Sequence, residues 1–276
     1  MQLIDNNLAY FTKTRIDGFD VIIRNSFSAD LLPLNLNESL ETVACSKYAE
    51  VFKADVSSES GNCVLFVKRH LYRSFTDKLK HLFRASRSKR SLAAAAMLSK
   101  NGFNSPKIVA VAEKRSGLFC VENILVTEEL TGAKCIYDWE KDFSDTYVCP
   151  ADLKRRFARE LGRTIGKLHA KNISHGDLRC GNIFASKDGE GWRFYFLDNE
   201  RTRQYANLPM KLRVKNLVQV NMLAKEPFGL TDRIRFFKEY MRENPGLQGD
   251  EVQLLREVTT ISRRRMKKIF RPEQRL

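Results

Sequence analysis

Three polar side chains, Asp177, Asn182 and Asp198, have the types and spacing for phosphoryl transfer. Asp177 and Asn182 stand in the polar run 175–182, and Asp198 follows the apolar run 192–197. Transfer from ATP uses one Asp to orient the attacking hydroxyl and accept its proton. It uses an Asn five residues later and a second Asp to bind the metal ions on the phosphates. We therefore predict that Asp177 is the catalytic base and that Asn182 and Asp198 are Mg²⁺ ligands.

The surrounding residues make this pattern more specific than a single His-x-Asp pair. The run 175–182 matches H-x-D-x-x-x-x-N, with Gly176 where protein kinases usually carry Arg, and the apolar residues Ile183 and Phe184 follow it. His175 is expected to hydrogen-bond within the loop rather than to catalyse. The alternative is a loop without chemistry, in which Asp177 caps a turn and Asp198 ends a strand.

A lysine at the end of an apolar strand is the usual ligand of the α- and β-phosphates in kinases. Lys68 ends the apolar run 63–67. The chain before it, 42–54 and 62–69 around a turn-rich segment, predicts a hairpin. We predict that Lys68 binds the nucleotide phosphates; the alternative is an ordinary lysine in solvent.

Two features of the protein-kinase pattern are missing near Lys68. The stretch 43–51 stands where a glycine-rich loop would cover the phosphates, yet it contains no glycine. Ser46 or Lys47 could contact phosphate there, and a plain hairpin turn is an equally good interpretation. No acidic residue occurs between positions 83 and 100, so the predicted helix 92–98 offers no Glu partner for Lys68.

The remaining elements predict an α+β fold of the protein-kinase type, with an antiparallel β-sheet N-lobe at 1–130 and a mainly helical C-lobe at 131–276. The N-lobe strands are a hairpin at 8–14 and 19–24 around Asp17–Gly18, followed by 109–112 and 118–126. The segment 126–132 then joins the lobes, and Glu128 and Leu130 are candidates for contacting adenine. An amphipathic helix at 151–171 leads into the central loop, and two further helices close the chain.

Composition limits the partners and the location. Lys and Arg number 48 against 33 Asp and Glu, a net charge of +15 that favours polyanions such as nucleic acid, an anionic membrane or a phosphorylated sugar. Nucleic acid ranks low because no aromatic-basic platform is visible.

Six scattered cysteines without a C-x-x-C pair favour reduced thiols over a zinc site. We see neither a spanning segment nor a signal peptide and expect a cytoplasmic protein.

The basic end of the last helix, 263–271, mixes cationic and apolar residues. Such a segment is typical of contact with an anionic membrane surface, worth roughly 1 kcal/mol per charge. An equally good interpretation is a helix C-terminus whose cations interact with the helix dipole.

In combination, these motifs resemble the lipopolysaccharide kinase family. The resemblance extends from about Lys68 to the C-terminal helices. It is carried by the segments 68–70, 83–87, 102–106, 127–130, 175–178, 196–201 and 213–217.

The resemblance implies a protein-kinase-like fold and ATP-dependent phosphorylation of a heptose or Kdo hydroxyl in the lipopolysaccharide inner core. By matched position it implies Asp177 as base, Asn182 and Asp198 as metal ligands and Lys68 as phosphate ligand. The partner would be an anionic glycolipid at the cytoplasmic face of the inner membrane. The rival hypotheses are a kinase for another hydroxyl acceptor, such as an aminoglycoside-like molecule or a protein, and a pseudokinase that serves as a binding module.

Overall fold

The computed structural model describes residues 10–36, 40–46, 48–58, 61–71, 84–144, 150–189, 191–223 and 228–269. The chain divides into an N-terminal unit, Met1–Lys100 with Ser105–Thr131, and a C-terminal unit, Asn101–Asn104 with Gly132–Leu276. The first is built around an antiparallel sheet and the second is mainly helical. The predicted fold class is therefore confirmed.

Among its described residues, the N-terminal unit contains a seven-stranded antiparallel sheet in the order β1-β2-β6-β7-β5-β4-β3 and one α-helix, α1. The bounds are β1 Phe11–Ile16, β2 Phe19–Arg24, β3 Glu41–Ser46, β4 Ala49–Ser58, β5 Gly61–His70, α1 Arg87–Lys100, β6 Ile108–Ser116 and β7 Phe119–Glu128. The first predicted hairpin is confirmed. Asp17 and Gly18 both have positive φ, 51° and 80°, as a two-residue hairpin turn of matching twist requires.

The second predicted hairpin is confirmed as β4 and β5, but the extent of its first strand, 42–54, is wrong, because the chain turns between Ser46 and Ala49 and forms β3 before β4. The Ser46 hydroxyl accepts hydrogen bonds from the backbone N–H groups of Tyr48 and Ala49, each at 3.2 Å. Serine stabilises turns through such local bonds to its own backbone. The chain thus forms a hairpin turn at Ser46, and a phosphate contact by Ser46 or Lys47 stays a prediction.

The larger core cluster of the N-terminal unit lies on one face of the sheet, and a smaller one on the opposite face joins Ile22, Ile108 and Val111 to Leu92 of α1. Leu65 and Val67 of β5 and Ile124 and Val126 of β7 are completely buried in the larger cluster. Since side chains alternate along a strand, Lys68 projects from the opposite face. Helix α1, Arg87–Lys100, is longer than the helix predicted at 92–98.

Among the described residues, the C-terminal unit contains five α-helices and two small antiparallel sheets, β11-β10-β8 and β12-β9. The helices are α2 Ile136–Ser144, α3 Ala151–Ala170, α4 Met210–Val220, α5 Leu230–Arg242 and α6 Glu251–Ile269. The strands are β8 Lys134–Cys135, β9 Ile173–Ser174, β10 Ile183–Asp188, β11 Gly191–Phe196 and β12 Arg203–Gln204. Helices α3, α5 and α6 are confirmed predictions, whereas α2 and α4 were not foreseen.

Helix α3 is fixed in place on two sides. Its apolar stripe, including Phe157, packs into an aromatic cluster with Trp139, Phe143, Trp192 and Phe228. On another side Gly162 permits close approach of α5, since an added Cβ would lie 2.2 Å from the Phe236 carbonyl oxygen. This packing fixes α3, and from the C-terminal end of that helix the chain runs through β9 into the loop 175–182.

Candidate active site

The loop 175–182 joins β9 to β10 and is held along its length by α4. Lys215 Nζ donates to the Gly176 carbonyl at 2.5 Å. Asn216 Oδ1 accepts from the His175 N–H at 3.2 Å, and Gln219 Oε1 accepts from the Leu178 N–H at 3.1 Å. Because these three helix residues share one face at i, i+1 and i+4, a single helix positions the backbone on both sides of residue 177.

The Asp177 carboxylate, only partly exposed, is held by two side chains. Its Oδ1 accepts from Arg179 Nε and from Gln219 Nε2, both at 2.9 Å. Its Oδ2 accepts from Arg179 Nη2 at 2.8 Å. The hydrogen bond to Asp177 raises the pKa of Arg179, so the bidentate pair keeps the guanidinium charged.

Asn182 is oriented by the backbone of the same loop. Its Nδ2 donates to the Asp177 carbonyl at 2.9 Å, so the side-chain oxygen is the atom suited to a cation. The Asn182 carbonyl also accepts from the Leu197 N–H at 2.9 Å, which ties the loop to the residue before Asp198.

Asp198 is exposed and has a left-handed backbone conformation, with φ 55° and ψ 46°. Such a conformation costs a non-glycine residue about 1–3 kcal/mol and is concentrated at functional sites. Neighbouring bonds hold it: Asn199 Nδ2 donates to the Phe196 carbonyl at 2.7 Å, and Thr202 Oγ1 donates to the His175 carbonyl at 3.1 Å. A carboxylate and an amide oxygen are hard ligands of the kind Mg²⁺ takes, with phosphates and water completing its shell.

His175 contacts the loop through its main chain. Its N–H and carbonyl are the groups bonded to Asn216 and Thr202, and its buried ring lies 5.7 Å from the Phe196 ring. Neither ring nitrogen makes a well-aligned hydrogen bond among the described residues, although backbone groups of Asp177 and Leu197 lie close enough to act against the lowering of its pKa. Burial lowers the pKa of His175, so the imidazole is neutral and fills the space behind the loop.

The structure explains why glycine stands at position 176 and why the thiol of Cys180 is unreactive. Gly176 has φ +78°, and an added Cβ would lie 2.7 Å from both the carbonyl oxygen and the Cβ of Arg201. That crowding explains glycine where protein kinases usually carry arginine. Cys180 is buried with its thiol 3.5 Å from the Val220 carbonyl, and burial raises its pKa, so it is no reactive thiolate.

The predicted nucleotide ligands belong to the N-terminal unit. Lys68 is half-buried in β5, opposite Val51 of β4 and Leu125 of β7. Glu128 ends β7, where its N–H donates to the Lys107 carbonyl at 2.9 Å and its carboxylate lies 3.0 Å from Lys107 Nζ. Leu130 is half-buried beyond β7. Ser46 lies in the β3–β4 turn, and Lys47 lies outside the described residues.

The ion pair between α1 and the sheet has the opposite polarity to the one in protein kinases. Lys89 of α1 contacts the fully buried Glu113 of β6 at 2.7 Å, and Arg115 contacts the same carboxylate at 3.2 Å. Burial raises the pKa of Glu113, but these cations outweigh it and the net shift is downward. In this ion pair, helix α1 thus supplies the cation and the sheet supplies the carboxylate.

The sequence pattern did not reveal Arg179, Lys215 or Gln219. Arg179 is two residues from Asp177, but its bidentate contact depends on the shape of the loop. Helix α4 could have been recognised from the spacing of its polar residues at i, i+1 and i+4 within the run 210–220, although not from an apolar stripe. Among the described residues, no helix is both long and apolar enough to cross a bilayer.

Known proteins resemble this chain in three ways. The model of the lipopolysaccharide kinase (Kdo/WaaP) family matches residues 41–240. The 3-deoxy-D-manno-octulosonic acid kinase of Haemophilus influenzae is 27% identical over 148 residues, which cover 51% of this chain and 57% of that kinase. A solved structure of WaaP in complex with acyl carrier protein matches with a TM-score of 0.65 and 19% identity, covering 88% of this chain and 98% of that one.

Proposed function

The chain belongs to the lipopolysaccharide kinase (Kdo/WaaP) family, and we propose that it transfers the γ-phosphoryl group of ATP to a heptose or Kdo hydroxyl of the lipopolysaccharide inner core. The observation that carries the proposal is the held carboxylate of Asp177 in a loop that also orients Asn182 and leads to Asp198. A kinase needs such a base at a fixed position beside its metal ligands.

The proposed reaction assigns one role to each of these residues. Asp177 orients the sugar hydroxyl and takes its proton, while the hydroxyl oxygen forms a bond to the γ-phosphorus. The bond from that phosphorus to the bridging oxygen breaks, and ADP leaves with the electron pair. Asn182 and Asp198 would hold Mg²⁺, which neutralises charge on the phosphates. Lys68 would bind the phosphates, and Ser46, Lys47, Glu128 and Leu130 remain the proposed nucleotide contacts.

We also propose a peripheral contact with the anionic cytoplasmic face of the inner membrane, where a glycolipid acceptor would be found. The support lies on α6, whose last turns expose five cations: Arg263, Arg264, Arg265, Lys267 and Lys268. The same helix exposes apolar Val252 and Leu255, and it lines an apolar groove of about 700 Å³. Basic and apolar side chains on one helix are typical of interfacial membrane binding.

The direct test is the transfer of labelled γ-phosphate from Mg-ATP to dephosphorylated core lipopolysaccharide. Wild-type protein should label the glycolipid. Asp177→Ala should lower kcat by about 100-fold or more, because general base catalysis of this kind contributes about 10²–10⁴-fold. Binding of Mg-ATP, measured by calorimetry, should change little in this variant, whereas Asp198→Ala should weaken it.

The outcomes separate the rival functions. Near-normal transfer by Asp177→Ala would contradict its role as base. ATP binding without label in the glycolipid would favour another hydroxyl acceptor. Absence of both transfer and ATP binding would favour a pseudokinase that serves as a binding module.

A further inference from the structure

Gln219 of α4 is almost completely buried and has only one orientation that satisfies its partners. Its Oε1 accepts from the Leu178 N–H at 3.1 Å and from Asn216 Nδ2 at 3.3 Å. Its Nε2 donates to Asp177 Oδ1 at 2.9 Å. Rotating the amide by 180° would set its nitrogen against two donors and its oxygen against a carboxylate, so the donor end is directed at Asp177.

Asn216 is fixed in turn by donors from three directions. Its Oδ1 lies 3.2 Å from Ser174 Oγ, from the His175 N–H and from His169 Nε2. Because this oxygen accepts those bonds, the amide nitrogen of Asn216 must face Gln219. The orientation of Gln219 therefore follows from the buried side chains behind the loop rather than from Asp177 alone.

The two oxygens of Asp177 consequently differ. Oδ1 receives two hydrogen bonds, from Arg179 Nε and Gln219 Nε2, whereas Oδ2 receives one, from Arg179 Nη2. A carboxylate oxygen has two in-plane lone pairs, so among the described contacts only Oδ2 keeps one for a further donor.

We propose that Gln219 is a positioning residue that occupies Oδ1 of Asp177, so that Oδ2 is the atom that takes the proton of the acceptor hydroxyl. This inference rests on the proposed function of Asp177 as base. Without Gln219 the carboxylate would be held by Arg179, whose side chain is 63% exposed, so the lone pair that meets the hydroxyl would be fixed less firmly in direction.

The test is Gln219→Glu, which keeps the size of the side chain and an acceptor for the Leu178 N–H but replaces the donor at Asp177 with a second carboxylate. We expect kcat to fall about 10- to 100-fold, the usual effect of losing a hydrogen bond to a charged group, with KM for Mg-ATP unchanged. The matched control is Gln204→Glu, the same change at an exposed glutamine whose side-chain amide donates to the Lys171 carbonyl. The control should keep the wild-type kcat.

A pH profile separates positioning from a merely structural role. Adjacent carboxylates disfavour each other's charged forms, so the acid limb of the kcat profile should move to higher pH in Gln219→Glu. The other titratable or charged groups around Asp177 are the same in both proteins: Arg179, Lys215, His175, Asp198 and Tyr137. A variant that was only destabilised would lose activity at every pH without moving this limb.

A second readout does not require turnover. In ¹³C NMR of Asp-labelled protein, with Asp177→Asn to assign the signal, the carboxyl titration of residue 177 should move to higher pH in Gln219→Glu. An unmoved titration, or a wild-type kcat profile in an active enzyme, would overturn the role of Gln219. Wild-type protein that moves no phosphate would instead contradict the proposed function, and the NMR titration would still decide whether Gln219 holds the carboxylate.

Discussion

Gly176 shows how one missing side chain determines the shape of the loop 175–182. An alanine Cβ there would lie 2.7 Å from the Arg201 carbonyl oxygen, at φ +78°. Gly176→Ala should therefore lower the free energy of unfolding by about 1–3 kcal/mol or more, from strain and steric contact together. Urea denaturation measures the change.

The matched control for Gly176 is Gly189→Ala in the same unit. Gly189 also has a positive φ, +59°, but an added Cβ would meet nothing within 4 Å. That variant should show only the conformational cost. Equal losses of stability in the two variants would mean that Arg201 moves aside and that its contact with the added Cβ at position 176 costs no stability.

At the residue scale, sequence spacing is enough to nominate Asp177, Asn182 and Asp198, because the chemistry fixes which residue types stand where within one short stretch, and their roles stay predictions. It was insufficient for Arg179 and Gln219. Their contacts with Asp177 depend on the path of the loop and on a helix that begins 33 residues after Asp177. Whether Lys68 binds phosphate stays a prediction.

At the element scale, α4 differs from the helices that the sequence predicted. Helices α3, α5 and α6 each have an apolar stripe, and periodicity found them. Helix α4 instead buries polar residues, including Arg213, Asn216 and Gln219, which pair with other side chains and with the loop. A burial pattern of this kind has no signature in hydrophobicity, because it depends on partners from other elements.

The polar contacts behind α4 predict a pH-dependent stability. His169 is fully buried, with Nδ1 3.0 Å from the Tyr240 hydroxyl, and Arg213 donates to that hydroxyl at 2.6 Å. Burial, and secondarily the charge of Arg213, lower the pKa of His169 from 6.5 to about 3. As the pH falls below 6.5, the unfolded chain binds a proton that the folded chain does not. Stability should therefore fall, by up to about 1.4 kcal/mol per pH unit from this group.

His169→Gln tests that dependence, because glutamine cannot titrate. The comparison is urea denaturation of wild type and variant at pH 7.5 and pH 5. The variant should be less stable at pH 7.5 through lost contacts, yet it should lose less stability than wild type on going to pH 5. An equal loss in both proteins would show that His169 is not the titrating group.

At the scale of the whole molecule, the effect of the net charge of +15 depends on where the cationic side chains are exposed. Exposed cations attract an anionic surface within about 10 Å at 0.1 M salt, so a local cluster matters more than the total. Helix α6 holds such a cluster at its C-terminal end, whereas at its N-terminal end Val252 is 69% exposed. The proposed membrane contact therefore depends on this helix rather than on the total charge.

Charge reversal on α6 separates local attraction from net charge. The triple variant Arg264→Glu, Lys267→Glu and Lys268→Glu should bind vesicles containing anionic lipid on the order of 100-fold more weakly, since each charge contributes about 1 kcal/mol near the surface. The control reverses Lys13, Arg15 and Lys187, which are exposed elsewhere, so both variants carry the same net charge. Co-sedimentation at low salt measures both. A similar loss in the control would mean that net charge alone drives binding. A large loss confined to the α6 variant would identify this helix as the surface that meets the membrane. The difference between this variant and wild type should disappear at high salt.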